Sequence, residues 1–177
     1  GHTRWATHGK PSEYNAHPHI NCTGQTVVVH NGIVENFLPL KEELLAEGHT
    51  FRSETDTEVI VHLVGKYMAA GASLEEAARR AVARLQGAHG IVLMSTLEPD
   101  KLIALRVGNA GGVTLGVGDG EMFIASDIPA ILEHTRRMVF LESQEMAVVT
   151  TAGYRCSTLA GAPVEKSVHT ISWDPVS

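Results

Sequence analysis

The stretch that decides the fold is TVVVHNGIVENFLPLKEELLAEG, residues 26–48. Its first five residues form a short β-branched run typical of a buried strand, and Asn31-Gly32 then gives a strong turn signal. No second strand follows, because apolar residues recur at helical spacing as far as Gly48, which is placed to end a helix. A strand that runs directly into a helix predicts a sheet covered by helices, with Asn31 and Gly32 at the strand end.

Two further helical patterns and a series of strands complete the chain. The sequence TDTE at residues 55–58 has the form of a capping box, which predicts a helix with Asp56 at its first position. SLEE at residues 73–76 predicts the start of a third helix in the same way. Short apolar runs separated by turn residues follow from residue 88 onward. We therefore predict one α+β domain over residues 1–177, with packed sheets and helices outside them.

Composition limits the classes of function. The 177 residues are 44% hydrophobic and 19% charged, which is ordinary for a globular domain. A net charge of −6 argues against a nucleic-acid partner, because phosphate binding needs an excess of Lys and Arg. No apolar span of membrane length and no signal-peptide pattern occurs, so no membrane partner is expected. Cys22 and Cys156 form no disulfide framework, and we expect a reducing, cytoplasmic location.

The opening segment HTRWATHG has many hydrogen-bond donors and little apolar periodicity. Arg4 next to Trp5 has a plain interpretation as a solvated charge beside a partly buried ring. The alternative is a loop that binds a small zwitterion. The guanidinium of Arg4 would bind a carboxylate, Thr7 and His8 would add hydrogen bonds, and the indole of Trp5 would close over the ligand.

Two other segments supply complementary groups. Asp56, taken alone, is adequately explained as a first-turn acid that complements the helix dipole. Its functional interpretation is that it faces a cationic group, and Arg4 and Asp56 together would then specify an α-amino acid. Asn31 and Gly32 have a plain interpretation as a hairpin turn. At the end of a strand, however, the side-chain amide of Asn31 and the N–H of Gly32 are two donors suited to an oxyanion hole.

Weaker signals involve histidine and cysteine. His17-Pro18-His19 suggests zinc, but no further ligand has the spacing of a metal site, so we expect no metal and no cofactor. His17 is better explained as a hydrogen-bonding residue that supports the site. Cys22 with His17 as nucleophile and base is a further alternative to an inert loop thiol.

The segments GHTRWATHG, NAHPH, VVVHNGIVENF and SETDTEV, in this order and spacing, resemble the glutaminase domain of glutamine–fructose-6-phosphate aminotransferases, the glucosamine-6-phosphate synthases. Phosphoribosyl-pyrophosphate amidotransferases, a related group, carry Tyr-Ser where this chain has Trp5-Ala6. The resemblance implies the N-terminal-nucleophile hydrolase fold, a four-layer αββα sandwich. The chain would lack the first strands and the first helix of that fold, which would leave apolar surface exposed.

The resemblance also implies roles for individual residues in binding and hydrolysing glutamine. The implied glutamine-binding residues are Arg4, Trp5, Thr7, His8 and Asp56, the implied oxyanion hole is Asn31 and Gly32, and His17 and His30 would support them. The nucleophile of the family is an N-terminal cysteine whose α-amino group acts as base. This sequence begins with Gly1, so the chain alone is expected not to hydrolyse glutamine.

The resemblance further implies partners for the parent protein. A C-terminal sugar isomerase domain would bind fructose 6-phosphate and receive the ammonia for hexosamine synthesis, and the parent would be a homo-oligomer. Two alternatives remain open from the sequence. The first alternative is a module that only binds glutamine. The second is the same domain serving another ammonia acceptor.

Overall fold

The computed structural model describes residues 1–174 of the chain. The helices are α1 Phe37–Ala46, α2 Glu58–Ala69 and α3 Leu74–Val82. The strands are β1 His19–Ile20, β2 Thr26–Gly32, β3 His89–Ser95, β4 Leu102–Val107, β5 Thr114–Val117, β6 Met122–Ala125, β7 Arg137–Phe140, β8 Glu145–Thr150, β9 Gly153–Thr158, β10 Pro163–Val164 and β11 His169–Thr170. Short 3₁₀ turns lie at Glu13–Asn15 and Ile128–Ala130.

The strands form two antiparallel sheets. The larger sheet has the order β1-β2-β3-β4-β8-β9-β10, and the smaller has the order β11-β7-β5-β6. The three helices pack on one face of the larger sheet through a core that includes Leu63 and Ile91. The other face packs against the smaller sheet through residues such as Ala147 and Leu115. The 3₁₀ turn at Ile128–Ala130 lies beside a third, small apolar cluster next to the smaller sheet. The layers therefore run helix, sheet, sheet and a short helical turn.

Helix α1 ends, and helix α3 begins, where the sequence predicts. After α1, Gly48 adopts a φ of +92°, and the N–H of His49 donates to the carbonyl of Leu44 at 2.9 Å. Such a reversal stops the helix. At the start of α3, the hydroxyl of Ser73 accepts from the N–H of Glu76 at 3.2 Å. No helix within residues 1–174 has the length and apolar character to cross a membrane.

The predicted start of α2 is wrong. The helix begins at Glu58 with Thr57 as its N-cap, so Asp56 precedes the helix, and the N-cap side chain makes no capping hydrogen bond. The carboxylate of Glu58 turns away from the helix start. It accepts instead from the backbone N–H groups of Arg52 at 2.8 Å and Ser53 at 2.7 Å. Donors from the preceding loop thus replace the local capping box.

Asn31 and Gly32 close no hairpin, as predicted. They are the last two residues of β2 and pair with Gly90 and His89 of β3. Gly32 has a φ of +128°, and a Cβ atom there would lie 2.1 Å from the carbonyl oxygen of Ala88. Glycine is therefore required at this strand end, which places Asn31 next to a closely approaching backbone segment.

An apolar groove of about 190 Å³ lies on β2, β3 and β4. Its walls include Val27, Val29, Val92 and Met94, and the side chain of Met94 is 50% exposed. An uncovered apolar surface is thus present on this sheet, while the absence of the first strands and the first helix stays a prediction.

Candidate functional site

One cavity of about 250 Å³ brings most of the predicted site residues together. It lies where the opening segment, the end of β2 and the loop before α2 meet. The predicted residues that line it are Arg4, Trp5, Thr7, Asn31, Gly32, Asp56, His17 and His30. His8 is not among the lining residues, but its Nδ1 lies 3.8 Å from Oδ1 of Asp56. Arg4 and Asp56, the two residues predicted together to specify an α-amino acid, therefore share one pocket.

Asp56 is a buried carboxylate with one unused oxygen. The residue is 3% exposed, and its Oδ2 accepts from the N–H of Val34 at 2.6 Å. Its Oδ1 has no hydrogen-bond partner within residues 1–174, and the nearest basic atom, Nδ1 of His8, is likewise buried without one. Because a buried charge is costly unless it is paired, Oδ1 is suited to accept hydrogen bonds from a cationic ligand.

Arg4 is held in place by its own loop. Its Nη2 donates to the carbonyl oxygens of His8 at 2.6 Å and Gly9 at 3.0 Å, and its backbone N–H donates to Nδ1 of His2 at 3.0 Å. The backbone of Arg4 has a φ of +34°, which costs energy for a residue with a side chain. The loop therefore fixes one terminal nitrogen of the guanidinium, and Nη1 and Nε make no hydrogen bond to the part of the chain described.

His2 orients the amide of Asn31. Because Nδ1 of His2 accepts from Arg4, its proton lies on Nε2, which is 3.0 Å from both the carbonyl of His30 and Oδ1 of Asn31. The Oδ1 atom of Asn31 is therefore the acceptor of this bond. Its Nδ2 is left as a donor, without a partner in residues 1–174. This arrangement supplies one of the two donors that the sequence analysis assigned to an oxyanion hole.

Hydrogen bonds through His30 and His89 fix the orientation of the Thr57 hydroxyl. Thr57 lines the cavity and was not predicted from the sequence. Nε2 of His89 lies 3.1 Å from the carbonyl of Gln86 and must donate to it. Nδ1 of His89 therefore accepts from Nε2 of His30 at 3.0 Å. Nδ1 of His30 in turn accepts from the Thr57 hydroxyl at 2.9 Å. The oxygen of Thr57 thus remains an acceptor, next to Asp56.

Burial keeps the supporting histidines uncharged. Burial, and after it the charges of the nearby His2, His19 and Arg4, lower the pKa of His17 to about 3. The ring of His17 stacks on that of His2 at 3.9 Å between centroids. Burial also lowers the pKa of His30 well below its usual value. The one guanidinium and the one carboxylate among the residues that line the cavity are those of Arg4 and Asp56.

We expect the free energy of unfolding to fall as the pH drops from about 6.5 to about 3. The pKa of His17 is about 3 in the folded chain and 6.5 ordinarily. Between these values the unfolded state binds more protons, so this contribution is complete above the higher pKa and is lost below it. Urea unfolding at neutral and acidic pH should show a smaller acid loss in His17→Leu than in the unchanged chain. His169→Leu, an exposed control, should keep the full loss, and equal losses in both variants would contradict this role for His17.

The structure bears on three sequence-based interpretations of single residues. Trp5 lines the cavity and is 91% exposed, so closure of its indole over a ligand stays a prediction. The Cys22–His17 pair is wrong, because Sγ of Cys22 lies 3.5 Å from Nδ1 of His62, and Cys22 is not among the residues that line the cavity. His17 and His19 form no group with a third metal-ligating side chain within residues 1–174.

Solved structures share the fold. The chain superposes on the phosphoribosyl-pyrophosphate amidotransferase of Bacillus subtilis, complexed with ADP and GMP, with a TM-score of 0.72. The match has 23% sequence identity and covers 89% of this chain and 34% of that one. A class-II glutamine aminotransferase domain protein of Silicibacter pomeroyi gives a TM-score of 0.62 at 20% identity, covering 83% of this chain and 72% of that one. These similarities confirm the predicted amidotransferase fold.

Other proteins share a much higher sequence identity with this chain than these solved structures do. The chain is 51% identical over 174 residues to a glutamine–fructose-6-phosphate aminotransferase [isomerizing] of Thermococcus kodakarensis, covering 98% of this chain and 29% of that protein. The protein of the same name in Escherichia coli is 52% identical over 165 residues, with coverage of 93% and 26%. The chain thus spans less than a third of these relatives. The family model described as a glutamine amidotransferase domain matches residues 2–133. The chain therefore belongs to the glutamine amidotransferase domain family.

Proposed function

We propose that this chain is the glutamine-binding part of a glutaminase. The observation that carries the proposal is the convergence of Arg4 and Asp56 on one cavity, where Oδ1 of Asp56 has no partner within residues 1–174. An α-carboxylate on Arg4 and an α-ammonium on Asp56, assisted by the acceptor oxygen of Thr57, account for both charges. The donor amide of Asn31 then faces the third polar group of glutamine, its side-chain amide.

The chemistry proposed for the parent protein begins with attack of a cysteine thiolate on the side-chain amide carbon of glutamine. Negative charge develops on the amide oxygen, where Nδ2 of Asn31 and the N–H of Gly32 stabilise it. The C–N bond breaks as the nitrogen takes a proton and leaves as ammonia, and water then hydrolyses the thioester to glutamate. Cys22 and Cys156 do not line the cavity. We therefore assign the thiolate to a residue outside these 177.

The proposed acceptor follows from the relatives. In a parent protein like them, the ammonia would be transferred to fructose 6-phosphate on a sugar isomerase domain, for hexosamine synthesis. We propose that residues 1–177 are one amidotransferase domain of a homo-oligomeric parent protein. We also propose a cytoplasmic location, in keeping with the two free thiols of the chain. A chain that only binds glutamine, and a domain that serves another acceptor, are the two alternatives.

Binding is tested by calorimetry with L-glutamine. Arg4→Ala and Asp56→Asn should each weaken binding on the order of 10- to 100-fold, because each removes a charge-assisted hydrogen bond. Matched controls are Arg137→Ala and Asp119→Asn, which change exposed residues outside the cavity. A glutamine analogue without its α-ammonium should bind weakly to the unchanged chain and be indifferent to Asp56→Asn. Site variants that bind as tightly as their controls would contradict the assignment.

Turnover is tested by ammonia release from the full-length parent. Asn31→Ala should lower kcat by roughly 10²–10³-fold with little change in KM, because the oxyanion donor acts mainly in the transition state. Asn109→Ala, an exposed amide, is the control. The 177-residue chain alone should bind glutamine and release no ammonia. Release by the chain at the rate of the parent would refute the assignment of the thiolate to another segment.

A further inference from the structure

Three side chains with metal-ligating atoms meet outside the glutamine cavity. Cys22 lies in the loop between β1 and β2, His49 lies three residues after the end of α1, and His62 lies in α2. Sγ of Cys22 is 3.7 Å from Nδ1 of His49 and 3.5 Å from Nδ1 of His62. All three ligating atoms lie within 4.8 Å of one another. No other group of three such residues is found in residues 1–174.

The two sulfur-to-nitrogen distances fit a tetrahedral metal site. Zinc binds a thiolate at about 2.3 Å and an imidazole nitrogen at about 2.0 Å, so the sulfur and nitrogen atoms of a tetrahedral site lie about 3.5 Å apart. The two distances measured from Sγ of Cys22 agree with this separation. A mixed thiolate and imidazole set favours zinc over the oxygen-preferring calcium and magnesium.

The surroundings orient the ligands. Nε2 of His62 donates to Oε1 of Glu58 at 3.0 Å, and both side chains are almost fully buried. This bond places the proton on Nε2 and leaves the lone pair of Nδ1 facing Cys22, the carboxylate–histidine arrangement common behind metal ligands. The backbone N–H of Thr50 donates to Sγ of Cys22 at 3.3 Å, which helps to hold the sulfur in place.

We propose that Cys22, His49 and His62 bind one Zn²⁺ ion through Sγ and the two Nδ1 atoms. Cys22 is exposed and His49 is partly exposed, so the ion reaches the site from solvent and keeps a fourth position for water or an added ligand. The site is independent of glutamine, since none of the three residues lines the cavity.

The first experiment measures metal binding by the reduced, metal-free chain. Titration with Co²⁺ should produce a thiolate-to-cobalt charge-transfer band that saturates at one equivalent and disappears when Zn²⁺ is added. Zn²⁺ at one equivalent should also slow alkylation of Cys22 and raise the midpoint of thermal unfolding. Cobalt binding without a thiolate band, or no binding at one equivalent, would overturn the proposal.

The second experiment uses variants at the exposed Cys22 and the partly exposed His49, which leave the core intact. Cys22→Ser and His49→Ala should each lower Zn²⁺ affinity on the order of 100-fold or more, and should abolish the thermal shift. His169→Ala is the matched control, because it removes an exposed histidine from β11. Circular dichroism confirms that each variant folds. Zn²⁺ affinities of the ligand variants equal to that of His169→Ala would show that surface histidines, and not this cluster, bind the metal.

Discussion

Gly32→Ala is expected to destabilise the chain by about 4 kcal/mol or more and to abolish glutamine binding. The added Cβ atom would lie 2.1 Å from the carbonyl oxygen of Ala88 and 3.2 Å from Cβ of Ala110. Gly32 is paired within a seven-stranded sheet, between β3 and the cavity, so neither neighbour moves without disturbing the ladder or the site. Its φ of +128° adds backbone strain for any residue with a side chain.

The variant Gly48→Ala separates the steric clash of an added Cβ atom from the backbone strain of a positive φ. Gly48 also has a positive φ, +92°, but a Cβ atom there would meet nothing within 4 Å. This variant should therefore show only the backbone cost, about 1 kcal/mol, and keep full glutamine binding. Urea unfolding gives the free energies and calorimetry gives the affinities. Equal losses of stability in the two variants would mean that the close approach of Ala88 has no energetic weight.

The strand and helix pattern was readable from the sequence because its signals are local. The β-branched run before Asn31-Gly32 and the serine cap of α3 involve residues no more than a few positions apart, and both were predicted. The start of α2 was not, because the donors that hold Glu58 belong to the preceding loop. The local pattern TDTE favoured a capping box, but backbone N–H groups of the preceding loop bind the Glu58 carboxylate instead.

The site was predictable where the chemistry of a side chain indicates which ligand group it binds. Arg4 and Asp56 carry opposite charges that suit an amino acid, and the structure brings them to one cavity. The contributions of His2 and Thr57 depend on which nitrogen of each histidine carries a proton, and only the three-dimensional contacts determine that. The proposed zinc site of Cys22, His49 and His62 was not predicted from the sequence for a similar reason. Cys22 is 27 residues from His49 and 40 from His62, with no metal-site spacing.

Glu58→Gln is expected to lower the free energy of unfolding by about 3 kcal/mol. Burial alone would raise the pKa of Glu58. Hydrogen bonds from His62, Ser53 and the backbone of Arg52 outweigh burial and bring the pKa to about 2. The carboxylate accepts four hydrogen bonds: Oε1 from Arg52 N–H and His62, and Oε2 from the backbone and hydroxyl of Ser53. Glutamine keeps the shape but has only one acceptor oxygen.

Either orientation of the new amide leaves a donor facing a donor. If its NH₂ replaces Oε2, it faces the N–H of Ser53, and if it replaces Oε1, it faces that of Arg52. In either case a backbone N–H loses its acceptor, in the buried bond from Ser53 or in the partly buried bond from Arg52. Glu76→Gln is the matched control, because Glu76 also lies in the first turn of a helix but its side chain is 45% exposed. That change should cost under about 1 kcal/mol, the usual limit for exposed ion pairs.

The pH dependence distinguishes the charge of Glu58 from its shape. Because its folded pKa lies below the ordinary 4.5, its contribution is complete above 4.5 and is lost as the pH falls through about 2. The gap in unfolding free energy between the unchanged chain and Glu58→Gln, measured in urea at several pH values, should therefore narrow over this range. A gap that stays constant as the pH falls would show that the loss comes from packing rather than from the ionised carboxylate. The charge on Glu58 would then contribute nothing to holding the start of α2.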